Sequence, residues 1–476
     1  MIIKLLLFTL LLNLNFIEEK SKKEKPNILF FLVDDLGWYD VGFQGSKFYE
    51  TPHIDSLSNR GMKFKNAYSA HPRCVPSRYA IMTGKYPART KSPGPGSQLL
   101  KSEYTIAEAL RDNGYSTLIS GKWHLSRNER GSSPEEQGFE KNFGGGDSGV
   151  PKSYFYPYNI QKRGKGNENA PEITKLPEVE EGYHLTDQLT DLTLNWLEEN
   201  YTNKKNIKPF FIYLSHYEVH TPFEGKLDLE EKYKNKAEKI YQNTDLKNPF
   251  LFETTTGETK LRQDNHIYAA MIENLDSNFG KVINFLKENN LYKNTIIVFT
   301  SDHGGLSNRG NGRPLATSNL PLRAGKGHNY EGGIKVPLFV VWENKIKKGW
   351  TNTVVTGTDH YPTLLELIGE NIMEEKHLDG LSFKNSLVGK NQDNSKRPIY
   401  WHSPRPRPQS TGDLANTTVR LGDFKLLDFY KEGRVELYNI KKDQGETINL
   451  ADKMPKKKND LLNLINNWRV SVEAIE

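Results

Sequence analysis

The chain has 476 residues, of which 36% are hydrophobic and 26% are charged, and such proportions are typical of a globular protein that buries a large core. Its length corresponds to about two or three average domains. The 65 basic and 59 acidic residues leave a net charge of +6, which is too small to indicate a nucleic-acid partner. The single cysteine excludes an internal disulfide.

Residues 1–17 have the pattern of an export signal. Lys4 supplies a short positive region, and an apolar run at residues 5–12 follows it. This run is shorter than the roughly 20 residues that span a bilayer, and a retained membrane anchor is the alternative interpretation. We therefore expect an exported bacterial protein, periplasmic or secreted, with no stable membrane span after removal of the signal.

Apolar patterning predicts alternating strands and helices along the next part of the chain. The first strand is the continuous apolar run at residues 28–33, which is expected to be buried on both faces. Helices are expected to begin at Pro52 and at the capping box formed by Thr105 and Glu108. Further strands are expected at residues 116–120, 209–214, 295–300 and 336–342, and further helices at residues 185–196 and 267–286.

This alternation predicts an α/β fold whose mainly parallel sheet is sandwiched by helices. We assign residues 26–370 to this first domain. Residues 371–476 contain short strand patterns and a final helical pattern, which predict a smaller C-terminal subdomain with an antiparallel sheet plus a helix. Residues 223–265 are polar and weakly periodic, so we expect a loop there.

Charged or polar side chains follow the ends of four predicted strands. In chain order they are Asp34 and Asp35, Lys122 and His124, His220, and Asp302 and His303. Because ligands bind at the carboxyl ends of the strands in open α/β sheets, we expect one shared site. The carboxylates among these side chains suit a divalent cation such as Ca²⁺.

The only cysteine stands in a distinctive motif. Cys74 begins the sequence Cys-x-Pro-Ser-Arg, which ends at Arg78 and is followed by Thr83 and Gly84. A lone cysteine is most often a small buried hydrophobe. This motif, however, resembles the signature of the type I sulfatases, which have the alkaline-phosphatase-like fold. The resemblance covers most of the chain from residue 26 onward, and it implies that residues 26–370 form a catalytic sulfatase domain.

In that family a maturation enzyme oxidises the motif cysteine to formylglycine (3-oxoalanine). The resemblance implies this modification for Cys74, by a formylglycine-generating or an anaerobic sulfatase-maturating enzyme. The hydrated aldehyde carries two hydroxyl groups on one carbon. One attacks sulfur, and loss of a proton from the other expels sulfate and restores the aldehyde.

The resemblance also assigns the metal ligands. They are Asp34, Asp35, Cys74, Asp302 and His303. Many family members have asparagine at the position of His303, and imidazole also suits Zn²⁺ or Mn²⁺. One Ca²⁺ per chain is the expected cofactor.

Five further roles follow from the resemblance. Arg78 orients the formylglycine and helps to hold the anion. Lys122 binds sulfate, and His124 is the base that takes a proton when sulfate leaves. His220 protonates the departing ester oxygen. Lys326, in a Gly-Lys-Gly-His segment, contacts the bridging oxygen and sulfate.

Several neighbouring residues have weaker assignments. His216 is a second choice for the role of His220, and His328 is a candidate for contacting a sugar. Arg405 and Arg407 belong to a proline-rich segment and either bind a carboxylate or second sulfate or form a solvated linker, of which we prefer the linker.

The predicted function is hydrolysis of sulfate esters on a sulfated poly- or oligosaccharide. A phosphomonoesterase or phosphodiesterase of the same superfamily is the alternative within enzymes. A glycan-binding protein that has lost catalysis is the alternative outside them, and such a loss would normally remove the nucleophile or metal positions, all of which are present.

Overall fold

A computed structural model describes residues 25–90, 99–126, 132–161, 163, 169–204, 207–242, 248–253, 256–390 and 392–476. The expected export signal at residues 1–17 lies outside these residues. Within them, every helix is too short or too polar to cross a lipid bilayer.

Strands and helices alternate along the first part of the chain, and strands predominate near its end. The strands are β1 (Asn27–Val33), β2 (Met62–Tyr68), β3 (Ser116–Gly121), β4 (Lys141–Phe143), β5 (Phe210–Ser215), β6 (Phe250–Glu253), β7 (Gly257–Lys260), β8 (Thr295–Ser301), β9 (Asn308–Arg309), β10 (Leu338–Val341), β11 (Gly349–Thr356), β12 (Ile399–Ser403), β13 (Asn416–Leu421), β14 (Phe424–Phe429) and β15 (Arg434–Asn439). The helices are α1 (Pro52–Ser58), α2 (Cys74–Thr83), α3 (Ile106–Asp112), α4 (Leu185–Tyr201), α5 (Leu227–Tyr241), α6 (His266–Glu288), α7 (Glu331–Ile334), α8 (His360–Leu367), α9 (Lys384–Leu387) and α10 (Pro455–Ser471).

The main sheet has eight strands in the order β11-β2-β10-β8-β1-β5-β3-β4. Strand β1 pairs in parallel with β5 and β8, and β3 pairs in parallel with β5. Only β10 runs antiparallel to its neighbours β8 and β2. The carboxyl ends of β1, β3, β5 and β8 therefore meet at one edge of the sheet, where the sequence predicted a shared site.

Helices cover both faces of this sheet. Alternate residues of β1 supply the two cores: Leu29 and Phe31 pack with α4 and α6 on one face, and Ile28 and Phe30 pack with α3 and α8 on the other. Burial on both faces explains why β1 reads as a continuous apolar run instead of an alternating one. The predicted α/β fold, with helices on both faces of a mainly parallel sheet, is confirmed.

A second, antiparallel sheet contains β12, β13, β14 and β15 in sequence order. Helix α10 packs on it through Leu461 and Ile465, which join Val419, Leu426 and Leu437 in one apolar cluster. The smaller antiparallel sheet with a helix is therefore present. The boundary between residues 370 and 371 stays a prediction.

The expectation of a loop at residues 223–265 is wrong. This stretch contains helix α5 and strands β6 and β7, and β7 pairs with β9 in a third, small sheet. Only Glu230 and Tyr233 are buried on α5, because the helix lies on α6 at the surface with most of its charged side chains in solvent. So narrow a buried face leaves almost no apolar periodicity to read in the sequence.

Candidate active site

Cys74 is the first residue of α2 and is buried beside the ends of β1 and β8. Its Sγ lies 3.3 Å from Nε2 of His303, and Nζ of Lys326 donates to it at 3.6 Å. One turn later, Ser77 Oγ donates to the backbone carbonyl of Asp302 at 2.5 Å. This contact fixes the first turn of α2 against the polar residues that follow β8.

The surroundings of Cys74 are strongly electropositive. Burial by itself would raise the pKa of the thiol, but Lys122, Lys326 and His303 lower it well below its ordinary value. Such an environment favours an anionic species at this position, whether thiolate or the oxygen anion of an ester under attack.

Four of the five expected metal ligands converge. Ligand atoms of Asp34, Asp35, Cys74 and His303 all lie within 4.8 Å of one another, and all four residues are buried. Asp302 borders this group: its Oδ1 accepts a hydrogen bond from the backbone N of Asp35 at 3.2 Å and lies 3.6 Å from Nε2 of His303. The coordinating role of each residue stays a prediction.

The orientation of His303 fits a metal ligand. Its Nδ1 lies 3.0 Å from the carbonyl oxygen of Gly304, which can only accept, so Nδ1 carries a proton. Nε2 faces Asp35 at 3.2 Å and Cys74, and it offers a lone pair once a cation displaces its proton. A backbone carbonyl that fixes the tautomer in this way is typical of metal-bound histidine. The buried cluster of aspartate, cysteine and histidine is thus suited to hold a divalent cation.

Two lysine side chains balance the carboxylates. Lys122 Nζ donates to Asp34 at 2.5 Å, and Lys326 Nζ donates to both carboxylate oxygens of Asp35 at 2.6 and 2.8 Å. Burial opposes ionisation of Asp34, yet the Lys122 ammonium holds the pKa of Asp34 below its ordinary value. Burial also opposes protonation of Lys326, but Asp35 keeps the pKa of that lysine raised.

Arg78 connects the ends of four strands, β1, β3, β5 and β8, and is fully buried. Its Nε donates to Asp302 at 3.0 Å, and its Nη1 donates to the Lys122 carbonyl at 3.0 Å and to Ser215 Oγ at 2.7 Å. Its Nη2 reaches Asp34 at 3.4 Å. Sequence reasoning missed Ser215, although a serine ending the apolar strand β5 at the same sheet edge is a usable signal.

His124 is held in an unusual backbone conformation. It has φ of +58°, and its backbone N donates to the Gly146 carbonyl at 3.0 Å. Burial lowers the pKa of His124, which leaves the ring neutral near pH 7, and the ring lies within hydrogen-bonding distance of Cys74. A neutral imidazole beside the reacting position is the protonation state that a general base needs.

His220 faces the same cluster from the end of β5. Its Nδ1 lies 2.8 Å from the Thr221 carbonyl, so Nδ1 carries a proton, and Nε2 lies 3.8 Å from Oδ2 of Asp35. Burial and the positive charge of Lys326 lower the pKa of His220 to about 4. To donate from Nε2 the ring must become an imidazolium, and a bound anionic ester favours that form.

Two histidines with weaker assignments lie elsewhere. His216 is buried against Phe31, with ring centroids 5.2 Å apart, and burial lowers its pKa to about 3, which fits a supporting role in the core. His328 is buried too, and its Nε2 lies 2.7 Å from the Thr411 carbonyl. His328 therefore secures a loop of the C-terminal region, and the expectation that it contacts a sugar stays a prediction.

The comparisons with known proteins agree with this geometry. The sulfatase family model matches residues 26–370, and the model for the C-terminal region of N-sulphoglucosamine sulphohydrolase matches residues 325–468. A sulfatase of Formosa agariphila is 29% identical over 95% of this chain and 90% of its own length. An N-acetylgalactosamine-6-O-sulfatase of Bacteroides thetaiotaomicron is 25% identical over 94% of this chain and 93% of its own.

Among solved structures, the crystal structure of Ps i-CgsB superimposes with a TM-score of 0.74, at 31% identity and with 94% of this chain and 93% of that one covered. The same protein in complex with k-i-k-neocarrahexaose gives a TM-score of 0.72 at 30% identity, with the same coverage of both chains. The match to the family model spans well over half of the sequence. The chain therefore belongs to the sulfatase family, whose members are sulfuric ester hydrolases.

Proposed function

We propose that this protein hydrolyses sulfate esters on a poly- or oligosaccharide, with a formylglycine made from Cys74 and one bound Ca²⁺. The observation that carries the proposal is the buried site in which Arg78, Lys122 and Lys326 surround Cys74 beside an acidic metal pocket. A carbohydrate substrate is supported by relatives named for amino-sugar sulfates and by the neocarrahexaose bound to a structural neighbour.

The fixed charges suit an anionic ester. Hydrolysis of a sulfate ester moves negative charge onto the departing oxygen, and preorganised cations in a buried site stabilise that charge without reorganising. Lys122 forms an ion pair with Asp34, and Lys326 forms one with Asp35. Each lysine can keep this ion pair while it contacts the sulfate oxygens. Arg78 makes four hydrogen bonds within the site and positions its neighbours.

His124 and His220 carry out different proton transfers. Oxidised to formylglycine and hydrated, residue 74 supplies a geminal diol as nucleophile, and Ca²⁺ held by Asp34, Asp35, Asp302, His303 and residue 74 supplies Lewis acidity. His124, kept neutral by burial, accepts a proton at the ring nitrogen that faces residue 74. His220 donates from Nε2 to the departing sugar oxygen.

The proposal includes a location and a maturation partner. An exported chain acting in the periplasm or outside the cell meets polysaccharides too large to enter the cytoplasm, and the apolar run at residues 5–12 supports this route. The partner is a formylglycine-generating or an anaerobic sulfatase-maturating enzyme, which recognises the Cys-x-Pro-x-Arg segment at residues 74–78.

The test is sulfate release across a panel of defined sulfated oligosaccharides, with 4-nitrophenyl sulfate and phosphate mono- and diesters measured in parallel. We expect release from at least one carbohydrate sulfate and much slower cleavage of both phosphate esters. Mass spectrometry of the peptide containing residue 74 should show that the side chain has lost sulfur and two hydrogens and gained oxygen. Sulfate release by Cys74→Ala at the wild-type rate would refute the mechanism, and preferential cleavage of a phosphate ester would refute the substrate class.

A further inference from the structure

A second group of basic side chains lies at the rim of the site. Arg73, which immediately precedes Cys74, donates to Asp413, which also accepts from the backbone N of Arg407 in the segment after β12. Arg313, from the loop after β9, donates to Ser410 in that same segment. We call these three arginines the rim arginines. They come from three distant parts of the chain, so no local sequence pattern connects them.

Within the described part of the chain, only one rim arginine has a carboxylate partner. Nη2 of Arg73 donates to both oxygens of Asp413 at 2.7 and 2.8 Å. Arg313 Nη1 donates to Ser410 Oγ at 3.0 Å, a neutral acceptor. Among the residues that the structure describes, no carboxylate lies within ion-pair distance of Arg313 or Arg407. The cluster therefore holds three positive charges against one negative charge.

The charges of Arg313 and Arg407 interact electrostatically with Cys74. Desolvation lowers the pKa of Arg313, and the charges it interacts with include Asp35 and Cys74. Desolvation and then the positive charge of Arg73 lower the pKa of Arg407, which also interacts with Cys74. A lowered arginine pKa means that the surroundings disfavour its positive charge, and a bound anion would relieve this.

The loop that carries Arg407 is held in position. Nε2 of His328 donates a hydrogen bond to the Thr411 carbonyl, and the backbone N of Arg407 donates to Asp413 at 3.3 Å. Gly310 packs so closely against the Pro408 carbonyl that a Cβ there would overlap it. The loops carrying Arg313 and Arg407 are thus fixed against each other, which preorganises the backbone from which both side chains reach a ligand.

We propose that Arg313 and Arg407 form a second anion subsite, which binds a sulfate or carboxylate group of the substrate other than the sulfate that is cleaved. A guanidinium presents a planar pair of donors that matches either anion. This inference rests on the proposed function and narrows it: the preferred substrates carry at least two anionic groups.

The segment at residues 403–408 therefore contains more than a solvated linker. Arg405 is exposed and has no part in the cluster, as the linker interpretation expects. Arg407, two residues later, is also exposed, but its backbone N donates to Asp413, the carboxylate that pairs with Arg73. This difference supplies a matched control for the experiment.

The experiment compares kcat/KM for three disaccharides: one monosulfated and otherwise neutral, one disulfated, and one monosulfated with a uronate. It uses the wild-type enzyme, Arg313→Ala, Arg407→Ala and Arg405→Ala. We expect the ratio of kcat/KM for a dianionic over the monoanionic substrate to fall about tenfold or more in the first two variants, mainly through KM, because each loses a charge-assisted hydrogen bond. Arg405→Ala should leave the ratio at its wild-type value.

The three disaccharides also identify the anion. If the variants lose kcat/KM only for the disulfated substrate, the subsite binds sulfate. If they lose kcat/KM only for the substrate with a uronate, it binds carboxylate. Unchanged ratios in both Arg313→Ala and Arg407→Ala, with sulfate release intact, overturn the subsite alone. Failure of the wild-type enzyme to release sulfate from any of the three overturns the proposed function as well.

One measurement does not depend on variants. In the wild-type enzyme, kcat/KM for the dianionic substrates should fall more steeply with NaCl than kcat/KM for the monoanionic one, because salt screens the additional charge pair. Equal salt dependence for all three substrates contradicts the subsite.

Discussion

Gly149 controls the position of the proposed base. A Cβ added at Gly149 would lie 2.3 Å from Cε1 and 2.5 Å from Nε2 of His124. Ordinary carbon–carbon contacts are about 3.5–4.0 Å, so the imidazole must move by about 1 Å to accept Gly149→Ala. The backbone of Gly149 is not in the left-handed region, so alanine is otherwise allowed there. The substitution therefore acts on the His124 ring.

We expect Gly149→Ala to lower kcat about 100-fold, because misplacement of a catalytic group by about 1 Å has costs of that order. KM should change much less, since His124 acts on the proton and not on substrate binding. The measurement is the initial rate of sulfate release over a range of substrate concentrations, with circular dichroism to check folding.

Gly146 provides the matched control in the same loop. A Cβ added there would have Thr174 Oγ1 at 3.9 Å as its nearest neighbour, which is an ordinary contact. Gly146→Ala should therefore keep kcat close to the wild-type value. Full activity of Gly149→Ala, or an equal loss in both variants, would refute the assignment of His124 as a positioned base.

Three further outcomes are expected. His220→Ala should lower kcat on a carbohydrate sulfate about 10²–10⁴-fold, and less on 4-nitrophenyl sulfate, whose leaving group needs no proton; equal losses would contradict its role as acid. Dialysis against EDTA should abolish sulfate release and lower the thermal midpoint; Ca²⁺ should restore both in the wild-type enzyme but not in Asp34→Asn, and restoration by Zn²⁺ or Mn²⁺ alone would contradict Ca²⁺. Burial raises the pKa of Asp276 to about 7, although its carboxylate accepts hydrogen bonds from the backbone N of His53 and of Ile54. Between pH 4 and pH 7 the unfolded chain therefore loses the Asp276 proton before the folded protein does, and the free energy of unfolding falls as the pH rises from about 4 to about 7. The free energy of unfolding measured in urea should therefore fall less steeply with pH in Asp276→Asn than in the wild-type protein, with slopes that differ by up to about 1.4 kcal/mol per pH unit. Identical slopes in the two proteins would contradict this.

Strong apolar periodicity made much of the fold predictable. The run at residues 28–33 became β1, Asn27–Val33, and the run at residues 295–300 became β8, Thr295–Ser301. Helix α5 was not predicted because few of its side chains are buried and most of them are charged or polar. Sequence patterns report burial, so elements lying on the surface give a weak signal.

The candidate site was predictable where the motif carried the information. Asp34, Cys74 and Asp302 were named from the sequence, and they meet because parallel strands end at one sheet edge. Arg313 was not predicted, since nothing around it indicates that its loop packs on the segment containing Arg407. Its electrostatic role depends on a contact between chain regions about a hundred residues apart.

By itself, the sequence determined the layered α/β class and the membership in the sulfatase family, because burial periodicity and a short motif around Cys74 are both local properties. Only the tertiary structure decided which cations reach which carboxylates. It also decided that His328 secures a loop, and that two arginines at the rim lack acidic partners among the residues whose positions the structure describes. The physical reason is that electrostatic energy depends on distances in space, and long-range packing sets those distances.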